Sequence, residues 1–161
     1  MGKFNLNDYE TVDERIQRFR RDHKQARIET ELVVFNGENG STRWVVKARV
    51  FRNCEEPACG EGHAFEIDGT GMANQTSALE NAETSAVGRA LAQAGYSGSR
   101  RTTREEMAKV LIPELKQAIA EAKSKEDTRA VWVRAQQNGV LDEVKQLILD
   151  RNEVLSAGQA A

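Results

Sequence analysis

The chain has 161 residues, of which 39% are hydrophobic and 30% charged, with 23 Lys and Arg against 25 Asp and Glu for a net charge of −2. That length suits one domain with an appendage rather than two full domains. No apolar run approaches the ~20 residues of a bilayer span, and the amino terminus MGKFNLNDYE lacks a signal peptide's apolar core, so the expected compartment is the cytoplasm, with no membrane partner.

Val12, Ile16 and Phe19 recur at helical spacing, with Arg15, Arg18, Arg20 and Arg21 around them, which predicts an amphipathic helix over about residues 11–23 with a basic polar side. Residues 27–35 (RIETELVVF) alternate, a turn cluster follows at residues 36–40, and residues 42–52 (TRWVVKARVFR) alternate again. Together they predict an antiparallel hairpin. In its second strand Trp44, Val46, Ala48 and Val50 share one face, and Arg43, Lys47 and Arg49 lie on the other with Val45 and Phe51, a basic row across the sheet. Trp44 is expected in the core. A third strand over residues 63–72 (HAFEIDGTGM) places His63, Phe65 and Ile67 on one face and Glu66, Asp68 and Thr70 on the other.

Ser77 and Glu80 have the spacing of a capping box, so the next helix starts there. Leu79, Ala82, Ala86, Ala90, Leu91 and Ala94 form its apolar stripe, and Gly95 sits where a left-handed residue ends a helix. So many alanines let another backbone come close. The expected fold class is α+β: an N-terminal helix, a three-stranded antiparallel meander packed by the Ala-rich helix (a βββα core), then C-terminal helices. The expected organisation is a core of residues 1–104 and a helical appendage of residues 105–161. In the appendage, residues 105–124 read as a helix that Pro113 kinks or splits, residues 123–127 as a hinge, and residues 128–137 and 142–155 as a helical hairpin whose Trp132 is structural.

Charge is segregated along the chain. Residues 39–54 hold four basic side chains and no acid, residues 55–83 seven acids and no Lys or Arg, and residues 84–104 four arginines and no acid. A fold that gathers the basic segments on one face would follow a nucleic-acid backbone, with aromatic or guanidinium planes to stack on bases. The candidate contacts for single-stranded DNA are Arg43, Lys47, Arg49, Arg89, Arg100, Arg101 and Arg104, with Tyr96 in the Gly95–Gly98 loop as the stacking residue. A solvated surface is the alternative for each cation.

Cys54, Cys59 and His63 resemble part of a zinc site, with Glu61 a conceivable fourth ligand and His23 distant in sequence. The cysteine spacing is long for structural zinc, and a loop with two reduced thiols is the favoured reading. Asp68, Glu66, Glu80 and Glu83 would suit a magnesium-dependent nuclease only if the fold assembled them. There is no Walker A loop and no GxSxG motif, so nucleotide hydrolysis and acyl transfer are not expected, nor is any cofactor.

The segment from Ser77 to Leu91, SALENAETSAVGRAL, ending at Gly95, resembles the helix of phage single-strand annealing proteins, a group that includes the eukaryotic Rad fifty-two recombination mediator. The order helix, meander, Ala-rich helix strengthens the resemblance, which spans about residues 12–104. It implies an ATP-independent protein of homologous recombination, without covalent chemistry, that forms rings or arcs and pairs complementary single strands held in a basic groove. The family's basic-Ala-Leu segment is matched by Arg89-Ala90-Leu91, whereas Gly88 replaces a position that is basic in the eukaryotic relative. The rivals are a single-strand-binding module without annealing, a metal-dependent nuclease using Asp68 and Glu83, and an adaptor. The C-terminal helices are a candidate docking element for a host or phage replication or recombination protein.

Overall fold

Thr11 begins the first helix as a cap. Its hydroxyl accepts from the Glu14 N–H while the Glu14 carboxylate accepts from the Thr11 N–H, a reciprocal capping box, and α1 runs Val12–Asp22. The computed structural model describes residues 5–38, 40–70, 74, 77–98 and 102–158. Three strands follow, β1 (Arg27–Asn36), β2 (Arg43–Phe51) and β3 (Gly60–Ile67), in an antiparallel sheet of order β1-β2-β3 with a register shift between Leu32 and Val34. Then come α2 (Ala78–Gln93), α3 (Arg104–Glu121), α4 (Lys125–Gln137) and α5 (Lys145–Gly158), so the class is α+β as expected. The chain divides into two compact units, Tyr9–Glu105, and Met1–Asp8 with Glu106–Ala161.

In the Tyr9–Glu105 unit both helices lie on one side of the sheet. Val46, Ala48 and Val50 of β2 are buried with Ala64 of β3, Val12 and Phe19 of α1, and Ala82, Ala86, Ala90 and Leu91 of α2. The third strand starts earlier than residue 63, and the reason lies in side-chain size. Gly60, Gly62 and Ala64 are the buried positions, while His63 and Phe65 are exposed on the opposite face. A Cβ on Gly60 would run into the Ala90 carbonyl oxygen, and one on Gly62 into the Ala86 carbonyl oxygen and to 2.6 Å from the Ala90 nitrogen. The Ala-rich helix therefore seats backbone to backbone on β3 at Gly60 and Gly62, which have no side chain to hold it off. Gly88 faces α1 instead, where a Cβ would meet Val12 Cγ2 at 2.9 Å and Thr103 Cγ2 at 3.1 Å.

Two end signals of α2 fare differently. Ser77 is the N-cap residue but its side chain makes no cap hydrogen bond, so the expected capping box does not form. At the other end Gly95 has φ +97°, and the Tyr96 and Gly95 N–H groups donate to the Leu91 and Ala92 carbonyls at 2.8 and 3.3 Å, the Schellman pattern that glycine permits.

The second unit is helical. Leu6, Leu111, Leu115, Ile119, Val131, Ala135, Val140, Val144 and Ile148 form its core, and the Leu6 N–H donates to Asn138 Oδ1 at 2.8 Å. Leu6 thus belongs with the C-terminal helices rather than with the segment that follows it. Pro113 lies inside a continuous α3 and does not split it. Residues 123–127 are a helix start rather than a hinge. Ser124 and Asp127 form a second capping box, and Asp127 also accepts from the Lys123 N–H at 2.9 Å. No described helix is long and apolar enough to cross a membrane.

Candidate nucleic-acid interface

The face of the sheet turned away from α1 and α2 carries the predicted basic row. Across the strands, Val34 pairs with Val45 and Val45 with Phe65; Glu31 with Lys47 and Lys47 with His63; Glu29 with Arg49 and Arg49 with Glu61. Cross-strand neighbours share a face, so cation meets carboxylate repeatedly. Lys47 Nζ lies 2.8 Å from Glu61 Oε2, and Arg49 Nη2 lies 3.5 and 4.0 Å from Glu29 and Glu31. Lys47's hydrogen bond holds the Glu61 carboxyl below the usual carboxylate range. The row is therefore a ladder of solvent-screened ion pairs that add little to stability.

Arg43 is different. Its guanidinium carbon sits 4.5 Å from the centroid of Phe65, whose side chain is 54% exposed. Cation and aromatic plane thus meet on one open surface, the pair of groups that strand binding needs. Phe65 is the functional candidate that the pattern of alternation did not single out. The available signal was Gly60-x-Gly62-x-Ala64 opposite an Ala-rich helix: small residues on one parity mark the buried side and leave the aromatic outside.

Arg89 joins this surface at its edge. It is exposed on α2, and its Nη1 donates to the His63 carbonyl at 2.7 Å. One turn later Gln93 Oε1 accepts from the Glu61 N–H at 2.6 Å. These two α2 side chains occupy backbone groups along the free edge of β3.

The remaining predicted contacts lie elsewhere. Tyr96 is on the helix side of the sheet, edge-on to Phe19 at 5.1 Å, with Arg18 5.3 Å from its ring centroid. Its hydroxyl donates to Asp22 Oδ2 at 3.0 Å and meets His23 Nε2 at 3.1 Å. Burial first, and that hydrogen bond to a carboxylate second, push its phenol above the ordinary tyrosine value. Tyr96 therefore ties the exit of α2 to α1. Arg104 begins α3 and donates its backbone N–H to the Glu10 carbonyl at 3.1 Å. Arg100 and Arg101 lie outside the described residues. The fold thus does not gather the placed candidates on one face: Arg43, Lys47 and Arg49 share the open sheet, Arg89 borders it, and Tyr96 and Arg104 are on the helix side.

The organiser of that helix side is Arg15, which the helical spacing had assigned to the polar face of α1. It is fully buried. Its Nη1 donates to the Gly88 carbonyl at 3.2 Å, its Nη2 to the Ser97 and Thr102 carbonyls at 3.3 and 3.1 Å, and its Nε lies 3.5 Å from Glu10 Oε2. One guanidinium fastens α1 to α2 and to Ser97 and Thr102 beyond it. The clue was the step 12-15-19, which puts Arg15 on the apolar stripe itself.

The carboxylates considered for metal are engaged separately. Asp68 accepts from Trp44 Nε1 at 2.8 Å, Glu66 from Asn74 at 2.7 Å and Glu83 from the Thr30 hydroxyl at 3.0 Å. Trp44 is half-buried against the core and stacked on Phe35 at 5.9 Å. Cys54 is an exposed free thiol, and Cys59 packs against the core with its thiol on the Val50 carbonyl. Among the described residues no group of three or more His, Cys, Asp or Glu side chains is arranged to hold a metal ion.

Residues 16–94, just under half the chain, match the family described as Slr1353 N-terminal dsRNA-binding domain-like. The match covers α1 from Ile16 onward, the three strands and α2, so the helix–sheet–helix unit is similar to a nucleic-acid-binding type of domain. No curated protein and no solved structure matches the chain significantly.

Proposed function

We propose that the Tyr9–Glu105 unit binds single-stranded nucleic acid across the open face of its sheet and promotes pairing of complementary strands without covalent chemistry. The observation that carries this reading is Arg43 over the exposed ring of Phe65 on the face that also bears Lys47 and Arg49. A base stacks on Phe65, and the neighbouring cations follow the phosphates.

Because Lys47 and Arg49 already hold carboxylates, each phosphate contact is an exchange of partners. Exposed pairs of this kind cost little to break, so the exchange is feasible but adds modest affinity. With Arg43, Lys47, Arg49 and Arg89 all engaged, log K against log salt for a single strand falls with a slope no steeper than roughly −3. Similarity to a dsRNA-binding-domain-like family supports nucleic acid as the ligand class. Resemblance of the Ala-rich helix to annealing proteins supports the strand-pairing step, with recombination as its setting and a multi-copy assembly as its working form.

Fluorescence anisotropy with labelled single-stranded DNA, single-stranded RNA and duplex RNA at several salt concentrations tests the ligand. Phe65→Ala should weaken single-strand binding by about 1–3 kcal/mol, or roughly 5- to 150-fold. Complementary oligonucleotides should then anneal faster with the wild type than with this variant. The family similarity favours a second reading, in which the ligand is duplex RNA recognised by shape; tighter binding of duplex RNA than of either single strand would replace the first. Loss of binding in the Arg100→Ala/Arg101→Ala variant, with none in Phe65→Ala, would move the site to the exit of α2.

A further inference from the structure

The sheet has two edges, and they are finished differently. At β3, Arg89 and Gln93 of α2 reach over and take the His63 carbonyl and the Glu61 N–H. At β1, α2 reaches the strand at Thr30, whose hydroxyl donates to Glu83. From there Leu32, Val33, Val34 and Phe35 are 45%, 47%, 48% and 66% exposed. Leu32 and Phe35 share the helix-side face with their partners Val46 and Trp44, and Val34 the opposite face with Val45, so this half of β1 is apolar and open on both. Natural edges are blunted by lysine, proline, inward charge or a bulge; among these four residues there is no lysine, proline or charge, and the one such device is the bulge between Leu32 and Val34.

We propose that β1 is a self-association surface and that its occupant is β1 of a second copy, antiparallel across a two-fold axis, to give one continuous six-stranded sheet. An open edge pairs with another open edge. If both edges were free, β1 of one copy would pair with β3 of the next, and the head-to-tail contact would build a ring or a filament. Arg89 and Gln93 obstruct that route at the His63 carbonyl and the Glu61 N–H, which favours the self-complementary β1 contact, one that ends at two copies.

The register follows from the bulge. Leu32 faces the helix side with its partner Val46, and Phe35 faces the same side with its partner Trp44, because the shift between Leu32 and Val34 resets the alternation. An axis between Val33 and Val34 sets Leu32 opposite Phe35 of the partner subunit and Val33 opposite Val34 of the partner subunit. Faces then agree along the seam, and Glu31 falls opposite an asparagine rather than another acid. A single strand pair with so few apolar side chains lies below the ~1,200 Å² of standard interfaces. The contact is a concentration-dependent monomer–dimer equilibrium. The inference gives the assembly in the proposed function its surface, and it stands or falls without nucleic acid.

Sedimentation equilibrium of the full chain, free of nucleic acid, from low-micromolar to submillimolar concentration is the test. The expected result is a transition from one to two copies of the 17.9 kDa chain. Val33→Lys should weaken it at least tenfold while leaving the circular dichroism spectrum unchanged. Val33→Cys in a Cys54→Ser/Cys59→Ala background should be captured as a covalent dimer by a short bis-maleimide, as only a contact that pairs this strand with itself allows. A monomer at every concentration, a larger ring, or a dimer indifferent to Val33→Lys would each overturn the proposal. A chain that dimerises but binds no nucleic acid would refute the proposed function and leave this inference intact.

Discussion

Gly62→Ala separates local preference from tertiary contact because the two predict opposite signs. In a strand interior, alanine is favoured over glycine by about 0.5–1 kcal/mol, since it loses less backbone freedom on folding. At this position the added Cβ would overlap the Ala86 carbonyl oxygen and lie 2.6 Å from the Ala90 nitrogen, where ordinary contact begins near 3.4 Å. Both atoms are backbone in the middle of α2 and have no rotamer by which to withdraw. The helix must lift from β3 by on the order of 1 Å, a gap that forfeits a quarter to a half of the dispersion well for atoms along it. That seam includes Ala82, Ala86, Ala90 and Leu91, all fully buried. Overpacking of this kind costs about 1–3 kcal/mol, and an immovable partner puts the expected loss near the upper end. Urea denaturation followed by circular dichroism should show a net loss of about 2 kcal/mol, equivalent to roughly 4–8 °C in Tm for a chain of this size. Gly95→Ala is the control. It meets no atom within 4 Å but has φ +97°, so its cost is the backbone term alone, about 1 kcal/mol. A Gly62→Ala protein as stable as the wild type, or more so, would refute the close seating of α2.

Arg15→Met should cost at least about 3 kcal/mol, because three carbonyls and the Glu10 carboxylate lose their shared donor; limited proteolysis should then cut first in the exit after α2. Tyr96→Phe should cost about 1 kcal/mol at neutral pH. The folded phenol titrates above its unfolded value of about 10, so its contribution is complete below that pH and fades as pH rises through the folded value, and the two proteins should converge in stability in strong alkali. Asp127 has the opposite sign. Hydrogen bonds from the Lys123 N–H and from Ser124 lower its pKa, so its stabilisation is present above about pH 4 and is lost as pH falls through the folded value. Ser124→Ala should remove about 1 kcal/mol of helix capping at neutral pH, measured as a shift in urea midpoint for the helical unit.

Much of the fold was legible in residue order because periodicity and end signals are local. The first helix over about residues 11–23, the alternation in residues 42–52, and Gly95 at a helix end each rest on signals that act over a few residues and were read at the right places. The parity of β2 was legible too, since only one face of that strand is apolar throughout. Residues whose role is set by a distant partner were misread. Arg15 looked like a solvated charge and is buried, Tyr96 looked like a stacking ring and is held by Asp22 and His23, and Phe65, left without a role, is exposed beside Arg43. Ser77 carried a cap signal that its side chain does not use.

The sequence by itself determined an α+β chain with a basic row on one strand face and an Ala-rich helix able to approach closely. Short-range sterics and side-chain periodicity suffice for that. Only the tertiary structure decided which face of β3 is buried, because the choice depends on the glycines meeting α2 and not on hydrophobicity along the strand. It alone also set Lys47 and Arg49 against Glu61, Glu29 and Glu31, so that a row read as basic is nearly neutral where it meets solvent. Charge along a chain is fixed by composition, whereas the field at a surface depends on which strands lie side by side.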